Sequence, residues 1–119
     1  MILVIDDRRK FSFEHTLAKN SRDGIGKLRD FYLHNTPIDE LWLDHDLGGV
    51  DTGMKVCDWL ELQSVVNTQH MEIGRVYLVS ANPVGCVNML RVLKKIGYNV
   101  VALNQTEVAE LLDLDAMGW

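Results

Sequence analysis

The sequence predicts a flavodoxin-like, three-layer α/β fold: a five-stranded parallel sheet in the order 2-1-3-4-5, with the first helix shortened or missing. Three observations lead there. Met1 to Ile5 is an uninterrupted apolar run, as expected of a strand buried on both faces, and it ends in the acidic pair Asp6-Asp7. Beyond it, short apolar runs alternate with amphipathic segments, the pattern of right-handed crossovers between parallel strands. Between Ile5 and Phe13, where Arg8, Arg9 and Lys10 follow one another, there is no space for a helix.

A chain of 119 residues, 47% hydrophobic and 24% charged, suits one globular domain with a core of its own. The net charge of −5 argues against general nucleic-acid binding, which is driven by Lys and Arg neutralising phosphates. It leaves room for a single nucleotide held by a local cation or a metal. Cys57 and Cys86 lie in separate apolar segments without CxxC spacing and read as reduced core thiols. With no signal-peptide h-region and no apolar run near ~18 residues, no membrane segment is expected, and a cytoplasmic location is.

Taken in order, Phe13 to Ala18 is the second strand. Ser21 reads as an N-cap with Asp23 in the first turn, opening a helix whose apolar residues fall at Ile25, Leu28, Phe31 and Tyr32. Gly24 and Gly26 weaken that helix, and Asn35-Thr36-Pro37 ends it. Asp39 to Leu43 is the third strand, followed by the glycine-rich loop GGVDTG. Met54 to Val66 then keeps a helical period through Val56, Cys57, Leu60 and Val65. Asn67 to Gly74 is polar and irregular, and Arg75 to Val79 forms the fourth strand, ending at Ser80. Asn82 can cap and Pro83 suits the first helical position of a helix running to Gly97. Tyr98 to Leu103 is the last strand. Asn104 with Glu107 forms a capping box for a final helix carrying Val108, Leu111 and Leu112. Trp42, Trp59 and Trp119 read as packing residues, and His15, His34 and His70 as ordinary surface or core residues.

In this strand order the first, third and fourth strands are neighbours. Asp6, Asp7, Asp44, Asp46, Ser80 and Asn82 therefore open on one crevice beyond the strand ends, where open α/β sheets bind ligands. Crowded carboxylates repel, and the usual resolution is a bound cation or a shared proton. Oxygen donors suit Mg²⁺ or Mn²⁺, and Mg²⁺ commonly bridges to a substrate phosphate. Asp7 and Asp44 are the first candidates, with Asp6 and Asp46 in support, because neighbours along a strand point to opposite faces and one of each pair could simply cap a turn. His45 stands beside them and could carry a proton near neutral pH, or be turned away by the same alternation. Ser80, Asn82 and the helix start after Pro83 suit phosphate oxygens. A plain helix cap accounts for Asn82 and Pro83, but not for Ser80. Arg9 could add a positive charge at the rim, as could Arg8 or Lys10.

The acidic pair Asp6-Asp7, the strand-end Asp44, the Asp51-Thr52-Gly53 loop and Ser80 together resemble response-regulator receiver domains. The stretches DDRR, LDHDLGG, DTG and SANPVG are more closely similar to a divergent branch, the cyclic-phosphate processing receiver domains, over nearly the whole chain. The resemblance implies a receiver-like sheet and, by analogy, a metal held by Asp7, Asp44 and the backbone around Asp46. Two departures stand out. Ordinary receivers place a lysine at the end of the last strand to hold the phosphoryl group, whereas Leu103-Asn104-Gln105 stand there and no lysine follows Lys95. The branch tends to carry a histidine just before the serine of SANP, where this chain has Val79.

The leading expectation is a metal-dependent phosphoesterase acting on a cyclic phosphate of a nucleotide or RNA end. Asp44 and His45 would serve catalysis, Asp6, Asp7, Asp44 and Asp46 the divalent cation, and Ser80, Asn82 and Arg9 the phosphate. The alternative is a non-enzymatic module that binds a partner protein or sequesters a nucleotide, favoured by the missing lysine and by Val79. A phosphoacceptor switch at Asp44 is a third reading, without the lysine that steadies an acyl phosphate.

Overall fold

A computed structural model describes residues 1–66 and 71–118. Five parallel strands, β1 (Ile2–Ile5), β2 (Thr16–Ala18), β3 (Ile38–Leu43), β4 (Ile73–Leu78) and β5 (Val100–Ala102), form a sheet in the order β2-β1-β3-β4-β5. Helices α1 (Ser21–Leu33), α2 (Met54–Val66) and α3 (Pro83–Ile96) connect successive strands from β2 onward, and the short α4 (Gln105–Ala109) follows β5. This is the predicted flavodoxin-like fold in its predicted strand order, and residues 6–15 pass from β1 to β2 without a helix. No helix among the described residues is long and apolar enough to cross a membrane.

The uninterrupted apolar runs are explained by burial on both sheet faces. Leu3, Ile5, Leu41, Leu43, Val76 and Leu78 point to one side, where they meet α1, α2 and α3 through Leu28, Leu60, Met89 and Leu93. Val4 and Trp42 point to the other, against Phe11, Val79 and Val108 of α4. On that second face aromatic side chains fill the space a first helix would occupy. The rings of Tyr77, Phe13 and Phe11 lie 4.3, 4.8 and 5.4 Å from that of Trp42, close enough for aromatic pairing to add to simple burial.

Most element ends shift by a residue or two from their expected positions. The N-cap of α1 is Asn20, not Ser21: Asn20 is extended and its Oδ1 accepts from the Asp23 amide at 2.7 Å, while Ser21 turns its hydroxyl to Asp51 at 2.6 Å. Tyr32 falls on the solvent side of α1. β2 is shorter than expected because Phe13 leaves the sheet to pack on Trp42. β4 starts earlier, at Ile73, so Ile73 and Gly74 are strand and not irregular loop. β5 omits Tyr98, whose hydroxyl donates to the Met71 carbonyl. The capping box of Asn104 and Glu107 forms, but α4 ends at Ala109, and Leu112 forms an antiparallel bridge to Phe11. Both cysteines are free thiols, Cys57 fully buried, and Trp42 and Trp59 pack against the sheet and helices. His15 bonds the Phe13 carbonyl through Nδ1, and His34 forms the exposed C-cap of α1. The expectations for Asn67 to His70 and for Trp119 lie outside the described residues.

Candidate functional site

The site forms because three strands end level. Ile5, Leu43 and Leu78 are register partners across β1, β3 and β4, so the residues after them emerge side by side. The Asp44 amide donates to the Ile5 carbonyl at 3.0 Å and the Val79 amide to the Leu43 carbonyl at 3.2 Å, carrying the pairing one step past the strand ends. Asp6, Asp7 and Asp44 are thereby gathered, each offering one carboxylate oxygen within 4.8 Å of the others. Asp6 and Asp44 are only 1% and 2% exposed, which makes their charges expensive unless matched.

The three carboxylates are matched unequally. Asp6 Oδ1 accepts from the backbone amides of Arg8 and Arg9, both at 3.0 Å, and its Oδ2 accepts from Arg9 Nη1 at 3.1 Å. Asp44 Oδ1 accepts from the amide of His45 at 2.8 Å. Asp44 Oδ2 lies 3.2 Å from Arg9 Nη1, in charge contact but without a hydrogen bond, and Asp7 Oδ1 likewise is buried and accepts none. Burial pushes the Asp44 carboxyl above its ordinary range and the Asp6 charge adds to this; Arg9, the Ser80 hydroxyl and the His45 amide only partly offset them. Arg9 itself does not stand at the rim. The turn closed by Asp6 Oδ1 aims its guanidinium inward, with 11% of the side chain exposed.

His45 and Asp46 pair with each other beside this trio. His45 Nδ1 is 2.9 Å from Asp46 Oδ1, and that bond is the main reason the Asp46 carboxyl is held below its ordinary range. The Asp46 carboxylate thus pairs with His45 and stands outside the trio of Asp6, Asp7 and Asp44. Asn82 caps α3 by accepting from the Gly85 amide at 3.0 Å, and its Nδ2 lies 3.4 Å from His45 Nδ1 and 3.5 Å from Asp46 Oδ2. The Ser80 hydroxyl accepts from the Asn82 amide at 3.1 Å. So Ser80 adjoins Asp44 and Asn82 adjoins His45, while Arg9 reaches Asp6 and Asp44.

Sequence reasoning missed three supports. A Cβ on Gly85 would fall 2.4 Å from His45 Cγ, so the first turn of α3 rests directly on the imidazole ring. The glycine of SANPVG was the available signal, because glycine weakens a helix by about 0.5–1 kcal/mol relative to alanine and needs a reason to be there. Asp51 of the DTG stretch accepts from the Ser21 amide at 2.8 Å and the Ser21 hydroxyl at 2.6 Å, tying the loop after β3 to the start of α1. Gln105 touches Arg9 Nη2 at 3.4 Å, and no local pattern could have announced a contact across 96 residues.

Two buried carboxylate oxygens without a donor, in a set made only of oxygen, fit a hard divalent cation better than they fit an apo pocket. Asp7 and Asp44 carry those oxygens and Asp6 lies within reach.

The model of a family described as Cyclic-phosphate processing Receiver domain matches residues 1–95. That span contains every site residue expected from the sequence and stops short of β5 and α4. No curated protein gives a match.

Proposed function

The chain belongs to the cyclic-phosphate processing receiver domain family, and from that premise we propose that it is a metal-dependent phosphoesterase opening a cyclic phosphate of a nucleotide or RNA end. The observation that carries the reading is the cluster of three carboxylates, in which Asp7 Oδ1 and Asp44 Oδ2 are buried without a hydrogen bond. Each has an arginine near it but no hydrogen bond, Arg9 Nη1 at 3.2 Å from Asp44 Oδ2 and Arg8 Nε at 3.9 Å from Asp7 Oδ1, so the charge of the trio is only partly offset. Asp7 and Asp44 would hold Mg²⁺ or Mn²⁺ with Asp6 in support, and the bound ion supplies a Lewis acid for a phosphoryl oxygen.

The remaining steps belong to the chain's own residues. Water adds to phosphorus while one ring P–O bond breaks, so a proton must leave the water and a proton must reach the departing ring oxygen. His45 is the group for the first transfer: Asp46 fixes Nδ1 and stabilises the imidazolium, leaving Nε2 to take the proton of the water, while the departing ring oxygen on the opposite side of phosphorus takes its proton from solvent. To meet non-bridging oxygens the Ser80 O–H would turn from Asp44, and Asn82 Nδ2 from its 3.4 and 3.5 Å contacts with His45 and Asp46. The positive end of α3 adds to that stabilisation, which is usually the largest part of such catalysis. The ligand is a phosphate-bearing small molecule, a nucleotide in the cytoplasm.

A second reading is a module that binds a partner protein or sequesters a nucleotide without turnover. Arg9 favours it, because its guanidinium already faces both Asp6 and Asp44. A panel of 2′,3′- and 3′,5′-cyclic nucleotides and cyclic oligonucleotides, offered with Mg²⁺ or Mn²⁺, separates the two. Metal-dependent turnover that disappears in Asp44→Asn and falls by about 10²-fold or more in His45→Ala is the expected result. Binding without turnover moves the conclusion to the second reading, and turnover indifferent to Asp44→Asn removes Asp44 and its metal from the mechanism.

A further inference from the structure

Arg9 reaches into the carboxylate cluster, with Nη1 3.1 Å from Asp6 Oδ2 and 3.2 Å from Asp44 Oδ2. The other end of its guanidinium is held too: Nη2 lies 3.4 Å from Gln105 Oε1, and Gln105 Nε2 donates to the Val79 carbonyl at 3.2 Å. Gln105 opens α4, beyond the residues that the family model matches. The two carboxylates are not held alike. Asp6 Oδ2 receives an aligned hydrogen bond, whereas Asp44 Oδ2, in a residue only 2% exposed, has the charge beside it and no hydrogen bond. The guanidinium therefore covers Asp44 in a way that another cation could displace.

We propose that Arg9 is an internal counter-cation that competes with a divalent ion for Asp6 and Asp44, and that its release makes metal and phosphate bind cooperatively. The inference rests on the reading of the carboxylates as a cation site. Two positive charges at one pair of carboxylates repel, so the inward guanidinium weakens the ion and the ion loosens the guanidinium. A phosphate offers the guanidinium two oxygens in the geometry it binds best, drawing it off the carboxylates as the ion arrives. Linkage then requires each ligand to tighten the other by the same factor. Gln105 sets the balance, because it steadies the guanidinium while Nη1 faces the acids.

The test is Mn²⁺ affinity of the full chain, read from the electron paramagnetic resonance signal of the free ion, with and without inorganic phosphate. Phosphate should tighten Mn²⁺ binding to the wild type by roughly fivefold or more. Arg9→Gln should bind Mn²⁺ several-fold more tightly than the wild type without phosphate, and phosphate should tighten its binding by clearly less than it does in the wild type. Gln105→Ala should fall between the two. Equal affinities in all three chains, or phosphate coupling undiminished in Arg9→Gln, overturns the role of Arg9 and leaves the metal reading standing. Absence of Mn²⁺ binding in chains that circular dichroism shows folded overturns the metal reading, and this inference with it. Should Arg9→Gln fail to fold, Gln105→Ala decides alone: tighter Mn²⁺ binding without phosphate supports the proposal, and unchanged binding refutes it.

Discussion

The imidazole of His45 lies between Asp46 and the backbone of Gly85, so its position depends on a side chain that is absent. Adding a Cβ at Gly85, 2.4 Å from His45 Cγ, forces the ring to rotate away and breaks its 2.9 Å contact with Asp46. Gly85→Ala gains helix propensity of about 0.5–1 kcal/mol and loses about 1–3 kcal/mol to overpacking, so global stability should fall by about 1 kcal/mol while the chain stays folded. Turnover of a cyclic nucleotide should nonetheless fall by about 10²-fold, the usual penalty for a misplaced proton carrier. Urea unfolding and initial rates on the same preparation check both halves, and a folded Gly85→Ala with wild-type turnover would remove His45 from the mechanism. Arg9 illustrates what a single sequence hides at this scale. Arg8, Arg9 and Lys10 are equivalent as a string. Only the turn closed by Asp6 Oδ1, accepting from two successive amides, decides that Arg9 points inward while Arg8 stays in solvent.

Among the elements, the loop from Asp46 to Gly53 joins the site to α1. Asp46 and Thr52 form an antiparallel bridge, and Asp51 accepts from both the amide and the hydroxyl of Ser21, adding a negative charge where the helix dipole is positive. Burial raises the Asp51 carboxyl, but Ser21 and Lys55 together outweigh it and leave the group below its ordinary value of 3.8. A lowered acid stabilises the fold above its unfolded value, and that stability is lost as the pH falls through the folded one. Asp51→Asn should therefore cost about 1–2 kcal/mol at neutral pH, and the difference from wild type should shrink on acidification below 3.8. Urea midpoints across that range test it, and a deficit that persists unchanged in acid would refute the ionic share. Strand order was legible because apolar runs and intervening helices constrain crossovers to few solutions. Element ends were less so, since they were set by distant partners: Asp51 drew Ser21 out of its expected capping role, and Trp42 drew Phe13 out of β2. The site was legible as a set of residues because consecutive strand ends deliver them together. The division of labour between the trio and the His45–Asp46 pair was not, because it depends on which way each side chain turns.

The whole molecule places two nearly inaccessible carboxylates, Asp6 and Asp44, at the meeting point of its three central strands, so folding and ligand binding draw on the same electrostatics. Burial first, and then the charge of Asp6, raise the Asp44 carboxyl. The sign for stability is opposite to that of Asp51. An acid whose folded value is raised holds its proton more tightly when folded, so its contribution is full at low pH and is lost as the pH rises from the unfolded value through the folded one. The metal-free protein should thus be under electrostatic load at neutral pH, and Asp44→Asn, which keeps the shape and removes the charge, should raise its unfolding midpoint. A divalent cation that binds only the folded chain should raise the wild-type midpoint instead, by about 2.7 kcal/mol at a hundredfold excess over its dissociation constant. That rise should fade on acidification, as protons compete for Asp44, and should vanish in Asp44→Asn. Thermal unfolding with and without Mg²⁺ across pH distinguishes the cases. If Asp44→Asn proves less stable than the metal-free wild type, Arg9 balances the acids without help and the load is absent. If the metal-dependent rise survives in Asp44→Asn, the ion is held elsewhere.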